Sequence, residues 1–294
     1  MNARTNLDMD VLRTFATGFE LGSFARAADR LGRSQSAVST QLRKLEEQIG
    51  RKLVQKSGRG LTLTQAGESL LSYAHRILDL NDEAVDSIRG ADMEGWVRLG
   101  LPQDFAERWL PSVLGRFARA HPKVRVEVRA EATAHLLARL LRGELDLCLA
   151  WGDDVDAPHA ERVTELPVSW IARPDWPGLH DEPLSLIQFE APCLFRTISV
   201  AALDAAGIPW RLAFISPSLA GMWAAAEAGL GVAVRTAVGQ PPTLAALTSG
   251  LPPLPNLPLT LHMAQAQPTP AVRRLADILR ETVLAETARL EVRS

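Results

Sequence analysis

Most of the groups on which metal and nucleophilic chemistry are built are scarce or scattered in this chain. It has 2 cysteines in 294 residues, Cys148 and Cys193, and neither has a partner at metal-ligand spacing. Both lie in apolar runs, LDLCLAW and APCLF, and read as reduced, buried small side chains rather than as a redox pair. The six histidines (His75, His121, His135, His159, His180 and His262) are dispersed, and no H-E-x-x-H, G-x-S-x-G or P-loop occurs. Gly229 and Gly231 in AGLGVAV lack the rest of a dinucleotide fingerprint and read as a helix-to-strand turn. No catalytic residue, metal or cofactor is therefore expected. An enzyme or solute-binding protein whose first helices only mediate assembly has no signature here.

Long apolar runs are also lacking: none approaches the ~18 residues that a membrane span needs. The start, MNARTNLDMDVLR, carries charge with no apolar stretch behind it, so it does not read as a signal peptide, and a cytoplasmic protein is expected. No internal repeat or low-complexity tract appears.

What remains is an ordinary globular composition, 47% hydrophobic and 22% charged, with a lopsided distribution of charge. Residues 1–62 carry 11 Lys+Arg against 6 Asp+Glu, whereas the whole chain has a net charge of -2. Three of its four lysines, Lys44, Lys52 and Lys56, lie in that first segment. A small basic part joined to a larger acidic one points to a polyanion partner for the former alone.

The basic segment has the spacing of three short helices. Leu7, Val11, Leu12, Phe15 and Phe19 recur at helical intervals, and Gly22 ends the first helix. Ser23 caps a second, with Phe24, Ala27, Ala28 and Leu31 inward. Gly32 breaks it, and Ser34 or Ser36 caps a third that keeps Val38, Leu42, Leu45 and Ile49 inside. Two helices joined by a short turn with glycine make a helix-turn-helix. Leu53 and Val54, then Leu61 and Leu63, flank Ser57-Gly58-Arg59-Gly60, which suggests a hairpin, or wing. Thr64 would cap a long helix reaching about Gly90. On it Leu70, Ile77 and Ala84 repeat every seven residues, as do Ala74, Asn81 and Ile88, which reads as a dimerisation seam.

With the apolar positions inward, Ser36, Ser39, Thr40 and Arg43 line the outer face of the third helix, and Gln35 sits at its start. Gln can bond adenine in a bidentate way, and Ser or Thr can serve several bases. Arg43, Lys52 and Lys56 suit phosphates, and Arg59 at the wing tip suits a narrow minor groove.

From residue 95 strands alternate with helices: WVRLGLP, VRVEVRA, LDLCLAW, VSWIARP, LSLIQF, RLAFIS, GVAVRT and LPLTLHM, with helices near 104–120, 133–142, 197–206, 218–228 and 270–290. This texture predicts two α/β lobes with largely parallel sheets. The expected division is 1–63 for the winged helix-turn-helix and 64–92 for the linker helix, then 93–166 with 265–294 for lobe I and 167–264 for lobe II. Ligands of such sheets sit at the carboxyl ends of strands. There the sequence places Pro102, Gln103, Asp104, Trp151, Ser216, Ser218 and Arg196, the last at the end of APCLF, and Arg196 would favour a carboxylate. Asp104 and Ser218 also suit plain helix caps.

LRTFATGFELGSFARAADRLGRSQSAVSTQLRKLEEQIGRKLVQKSGRGLTLTQAG, positions 12–67, resembles the LysR-type transcriptional regulators. The resemblance rests on S-F-x-x-A-A-x-x-L, S-Q-S-A-V-S, L-E-x-x-I-G and L-T-x-x-G in that order. It continues in outline through LGLPQDFAERWLPSVLGRFARAHP, GELDLCLA and AAAEAGLGVAV. FRTISVAALDAAGIPWRLAFISPSLAGMWAA looks like the LrhA-like branch. The resemblance implies a winged helix-turn-helix, a coiled-coil linker and a two-lobed, periplasmic-binding-protein-like effector domain. It also implies dimers or tetramers on double-stranded DNA, a small-molecule effector between the lobes, and contact with RNA polymerase. A DNA-binding regulator with a ligand-free cleft is the alternative. By family position Gln35, Ser36, Ser39 and Thr40 match the base-contacting face, and Arg59 matches the wing residue of the minor groove. Many members have Arg where this chain has Thr40, and Ser or Thr near Gln103.

Overall fold

A computed structural model describes residues 6–57, 60–89, 93–153, 159–179 and 183–291. The chain divides into two compact units, one built chiefly on the residues through Asp92, the other on Met93–Ala118 and Pro122–Leu284.

The first unit starts with α1 (Met9–Glu20), whose N-terminal amides are held by the Asp8 carboxylate. Ser23 caps α2 (Phe24–Arg30) by accepting from the Arg26 N–H. Ser34, not Ser36, caps α3 (Gln35–Ile49), and Gly50 ends it in the left-handed region at φ 71°. The wing is the antiparallel pair β1 (Val54–Ser57) and β2 (Gly60–Leu63), with Val54 opposite Leu63 and Lys56 opposite Leu61. Thr64 caps the 25-residue α4 (Gln65–Arg89), its hydroxyl oxygen accepting from Gly67 N–H at 3.1 Å. Val11, Leu12, Phe15 and Ala16 of α1 share one core with Leu45 of α3, Leu53, and Ala74 and Leu78 of α4. The chain approaches closely where α4 passes the wing: a Cβ on Gly67 would stand 2.1 Å from the Leu53 carbonyl oxygen. Arg13 grips Asp82 with both terminal nitrogens, at 3.0 and 2.5 Å, and so fixes α4 against α1.

That packing corrects the expected seam on α4. Ala74 is fully buried in the unit's own core, and Leu70 and Ile77 pack against it. Among the described residues of α4, the apolar side chains left in solvent include Tyr73, Leu80 and Ile88, exposed by 59%, 65% and 82%, with Ala84 and Val85 exposed beside them. Residue spacing alone does not say which stripe of a two-sided helix the small domain takes for itself.

In the second unit β3 (Gly95–Leu101), α5 (Gln103–Ala106), α6 (Leu110–Ala120), β4 (Val124–Ala130), α7 (Thr133–Leu141), β5 (Leu147–Trp151) and β6 (Ala160–Pro167) come first. Then follow β7 (Ser169–Ala172), β8 (Leu184–Phe189), α8 (Leu194–Ala205), β9 (Trp210–Ser216), α9 (Leu219–Glu227), β10 (Val232–Arg235) and β11 (Ala245–Ala246). The chain returns through β12 (Asn256–Met263) and α10 (Pro270–Glu291). Two five-stranded sheets result, β4-β3-β5-β12-β6 in lobe I and β11-β7-β10-β8-β9 in lobe II.

The sheets are mixed rather than largely parallel. β3 pairs in parallel with β4 and β5, and β8 with β9 and β10. The strands next to the two crossings between lobes, β6, β12 and β7, pair antiparallel because the chain there changes lobe without a returning helix. β12 lies between β5 and β6, so the return to lobe I comes before Asn256, not at 265. β6 escaped the sequence reading because AERVTELP is an exposed edge strand with little apolar alternation. APCLF is no strand: residues 191–193 form a bend and Leu194 already opens α8.

Each lobe has its own core. In lobe I, Leu136, Leu137 and Leu140 of α7 close over Cys148 and Ala150. In lobe II, Met222, Trp223 and Ala226 of α9 cover Ile171, Ile187 and Ala233. Cys148 has no exposure, and burial pushes its thiol up to about 12. Cys193, expected to be buried as well, is only partly so.

Candidate DNA-binding face and ligand cavity

The outer face of α3 is assembled by what lies beneath it. Val38 and Leu45 are buried at 1% and 0% exposure, which turns Gln35, Ser36, Ser39, Thr40 and Arg43 outward, all exposed. Gln35 is the first helical residue. Arg43 has only a loose partner, Glu47 at 3.8 Å, and both side chains are 71% exposed, so its guanidinium is available to an outside anion.

The end of α3 is tied to the wing through Glu46, a buried carboxylate that the spacing did not single out. It accepts from Leu53 N–H at 2.9 Å, Val54 N–H at 3.3 Å and Lys52 Nζ at 2.6 Å. Burial by itself would raise the Glu46 pKa. The Lys52 ammonium and the two amides outweigh it and hold the carboxyl below its ordinary value. Lys52 thus braces the wing against α3 while leaving its stem in solvent, whereas Lys56 on β1 is exposed. Arg59 lies outside the described residues. Arg51, Lys52, Thr64, Gln65 and Ser69 together line a shallow groove at the start of α4. Arg51 and Gln65 were not anticipated, although Arg-Lys ahead of a Thr cap is the pattern of an anion-holding helix start.

In the second unit a cavity of about 500 Å³ opens where strands of both lobes end. Pro102, Gln103 and Asp104 after β3 and Trp151 at the end of β5 line it, as the sequence suggested, with Thr133 at the start of α7. From lobe II come Phe189 at the end of β8, Phe195 and Thr197 on α8, and Arg235 at the end of β10. The Thr133 hydroxyl oxygen accepts from Trp151 N–H at 3.1 Å and fixes that corner. Gln103 spans the lobes: its Oε1 accepts from Leu219 N–H at 2.9 Å and its Nε2 donates to the Pro217 carbonyl at 3.1 Å.

Three sequence candidates fall away from the cavity. Arg196 does not line it, because Leu194 and not Arg196 opens α8, which gives the cavity-facing positions to Phe195 and Thr197. Ser216 and Ser218 serve α9 instead: Ser216 Oγ accepts from Ser218 N–H at 3.0 Å, and Ser218 Oγ caps at Gly221 N–H. The cavity's cation is Arg235, which the rule about carboxyl ends of strands would have found at the close of GVAVR. Its guanidinium lies over the rings of Phe189 and Phe195, 4.7 and 4.6 Å from their centroids. Asp104 is no cap, since α5 starts after Pro102 without a side-chain cap; it faces Arg235 instead, both groups being buried.

Among the described residues, no cluster of three or more His, Cys, Asp or Glu could hold a metal ion, and no helix is long and apolar enough to cross a membrane. The bacterial regulatory helix-turn-helix family of lysR type matches residues 9–68, and the LysR substrate binding domain matches residues 90–284. The HTH-type transcriptional regulator PecT of Dickeya dadantii is 37% identical over 253 residues, which cover 85% of this chain and 80% of PecT. DgdR of Burkholderia cepacia, another HTH-type transcriptional regulator, is 35% identical over 94% of both chains. Full-length BenM shares the fold with a TM-score of 0.53 at 21% identity, covering 96% of this chain and 98% of BenM. The HinK regulator of Pseudomonas aeruginosa does so at 0.52 and 21%, covering 95% of this chain and 99% of HinK. With both of its parts matched by models of one family, and relatives that are regulators rather than enzymes, this chain belongs to the LysR family of DNA-binding transcriptional regulators.

Proposed function

We propose that the exposed ridge Gln35, Ser36, Ser39 and Thr40 enters a major groove and reads base edges, while Arg43 and Lys56 hold phosphates on either side. Lys52 works mainly through Glu46 by setting the wing angle, and Arg59 at the wing tip reaches the adjacent minor groove. The observation that carries this reading is the polarity of α3, apolar inward and hydrogen-bonding outward, on a basic domain. Thr40, in place of the Arg that many relatives have, shifts the preferred sequence rather than removing DNA binding.

Two copies associate through Tyr73, Leu80, Ala84 and Ile88 of α4, presenting two recognition helices to two-fold-related half-sites, and dimers pair into a tetramer. A small-molecule effector occupies the cavity between the lobes and shifts the arrangement of the DNA-binding units, and with it contacts to RNA polymerase. The protein works in the cytoplasm, where its DNA is. Buried, incompletely bonded polar groups in an otherwise apolar lining favour an occupied cavity over a vestigial one.

Footprinting on the region upstream of the protein's own gene, at two salt concentrations, tests the DNA reading. A protected, salt-sensitive site with two-fold symmetry is expected. Absence of any such site across the genome would refute it.

A further inference from the structure

Opposite charges from the two lobes meet in the cavity without bonding well. Asp104 Oδ2 and Arg235 Nη1 stand 3.6 Å apart, too far for the short contact of a charge-assisted hydrogen bond. Both groups are almost fully buried, at 3% and 5% exposure. Asp104 Oδ1 and Arg235 Nε have no hydrogen-bond partner, and the Trp151 indole N–H in the same lining has none either. Buried ions are ordinarily bonded to capacity, because an under-bonded one is costly in a low-dielectric site. Asp104, Trp151 and Arg235 all line one cavity, and spare bonding capacity on all three marks where a ligand's polar atoms belong.

The lining also fixes the charge of that ligand. Among the described residues, the lining has the three carboxylates of Asp104, Glu131 and Asp153 against the one guanidinium of Arg235. Glu131 is bonded to Arg139 at 3.0 Å and Asp153 lies 3.6 Å from Arg162, and neither arginine lines the cavity. A simple anion gains Arg235 but meets an acidic mouth. A simple cation gains Asp104 but leaves Arg235 Nε unbonded. A molecule with both signs meets both members of the pair. The remaining walls, Trp151, Phe189, Phe195 and Leu137, are apolar.

We infer that this cavity takes a zwitterionic amino acid with an apolar side chain, its carboxylate on the Arg235 fork and its ammonium on Asp104. This rests on the reading of the cavity as the effector site and names the effector's class. Asp104 belongs to lobe I and Arg235 to lobe II, so the ligand replaces one poor contact between lobes by two good ones. It stiffens the lobe pair at the point where Gln103 already links it.

Calorimetric titration of the full chain with leucine and phenylalanine, their deaminated acids isocaproate and phenylpropanoate, and their decarboxylated amines isoamylamine and phenylethylamine tests the inference. One of the two amino acids should bind, and its two truncated analogues should bind about 10- to 100-fold more weakly, the loss expected for an unmatched charged hydrogen bond. Asp104→Asn, nearly isosteric, should weaken the amino acid but not the deaminated acid. Equal or tighter binding of an acid or amine, or no binding in either series, overturns the zwitterion assignment. A thermal-shift screen of sugars, organic acids and nucleosides on the same protein separates the two claims. A hit there that Phe195→Ala abolishes keeps the cavity as the effector site with a different ligand class. No hit from any class sinks the effector reading as well.

Discussion

Glu46 shows how a single side chain sets the geometry of a whole recognition surface. Its pKa is lowered on folding, so its contribution to stability is complete above the ordinary carboxyl value of 4.5 and fades as pH falls through the lower, folded value. Glu46→Gln should cost about 1–3 kcal/mol at neutral pH, and the difference from the parent should shrink in acid, as read by denaturant titration at several pH values. Gln35 and Arg43 are expected to separate cleanly in binding assays. Gln35→Ala should relax base preference at one position by about 1–3 kcal/mol, whereas Arg43→Ala should weaken all sequences alike and lower the salt slope by about 1. The two thiols should differ as well. In the native protein an alkylating reagent should label Cys193 and spare the unexposed Cys148, and Cys193→Ser should remove the labelling. Apolar neighbours flank both cysteines in the sequence, yet Cys193, beside the bend before α8, is partly open to solvent and Cys148 is not.

At the scale of elements, α4 carries two apolar stripes with separate duties. Ala74→Asp puts a charge into the core of the first unit and should unfold it, while Leu80→Asp touches no neighbour in the chain's own core. Sedimentation should therefore show Leu80→Asp shifted toward a folded, lower-order species, with DNA affinity reduced through loss of paired half-sites. An unchanged oligomer would exclude this stripe from the interface. Gly67→Ala should destabilise the wing, because its Cβ meets the Leu53 carbonyl at 2.1 Å and backbone must move; a cost of about 1–3 kcal/mol is expected in thermal melts. Elements with one clear face, such as α1 and α3, could be read directly from spacing, and β5, buried on both faces, from its continuous apolar run. β6 could not, since an exposed edge strand has no inward face to leave a pattern.

For the whole molecule, a net charge of -2 suggests little affinity for DNA, yet the basic character is concentrated in the first 62 residues. Binding should consequently fall steeply with salt, by roughly one power of salt concentration per phosphate held. The sequence by itself determined the winged helix-turn-helix, the outward ridge of α3 and the alternation of the second unit, because each depends on local periodicity, caps and turns. It also marked Pro102, Gln103 and Asp104, which follow β3, and Trp151, which closes β5. Only the tertiary structure decided that β12 returns to the first sheet, that Ala74 belongs to the core, and that Arg235 rather than Arg196 faces Asp104. Those three are matters of which distant segments meet, and contacts between segments far apart in the chain are settled by the packing of a whole unit, to which no local pattern has access.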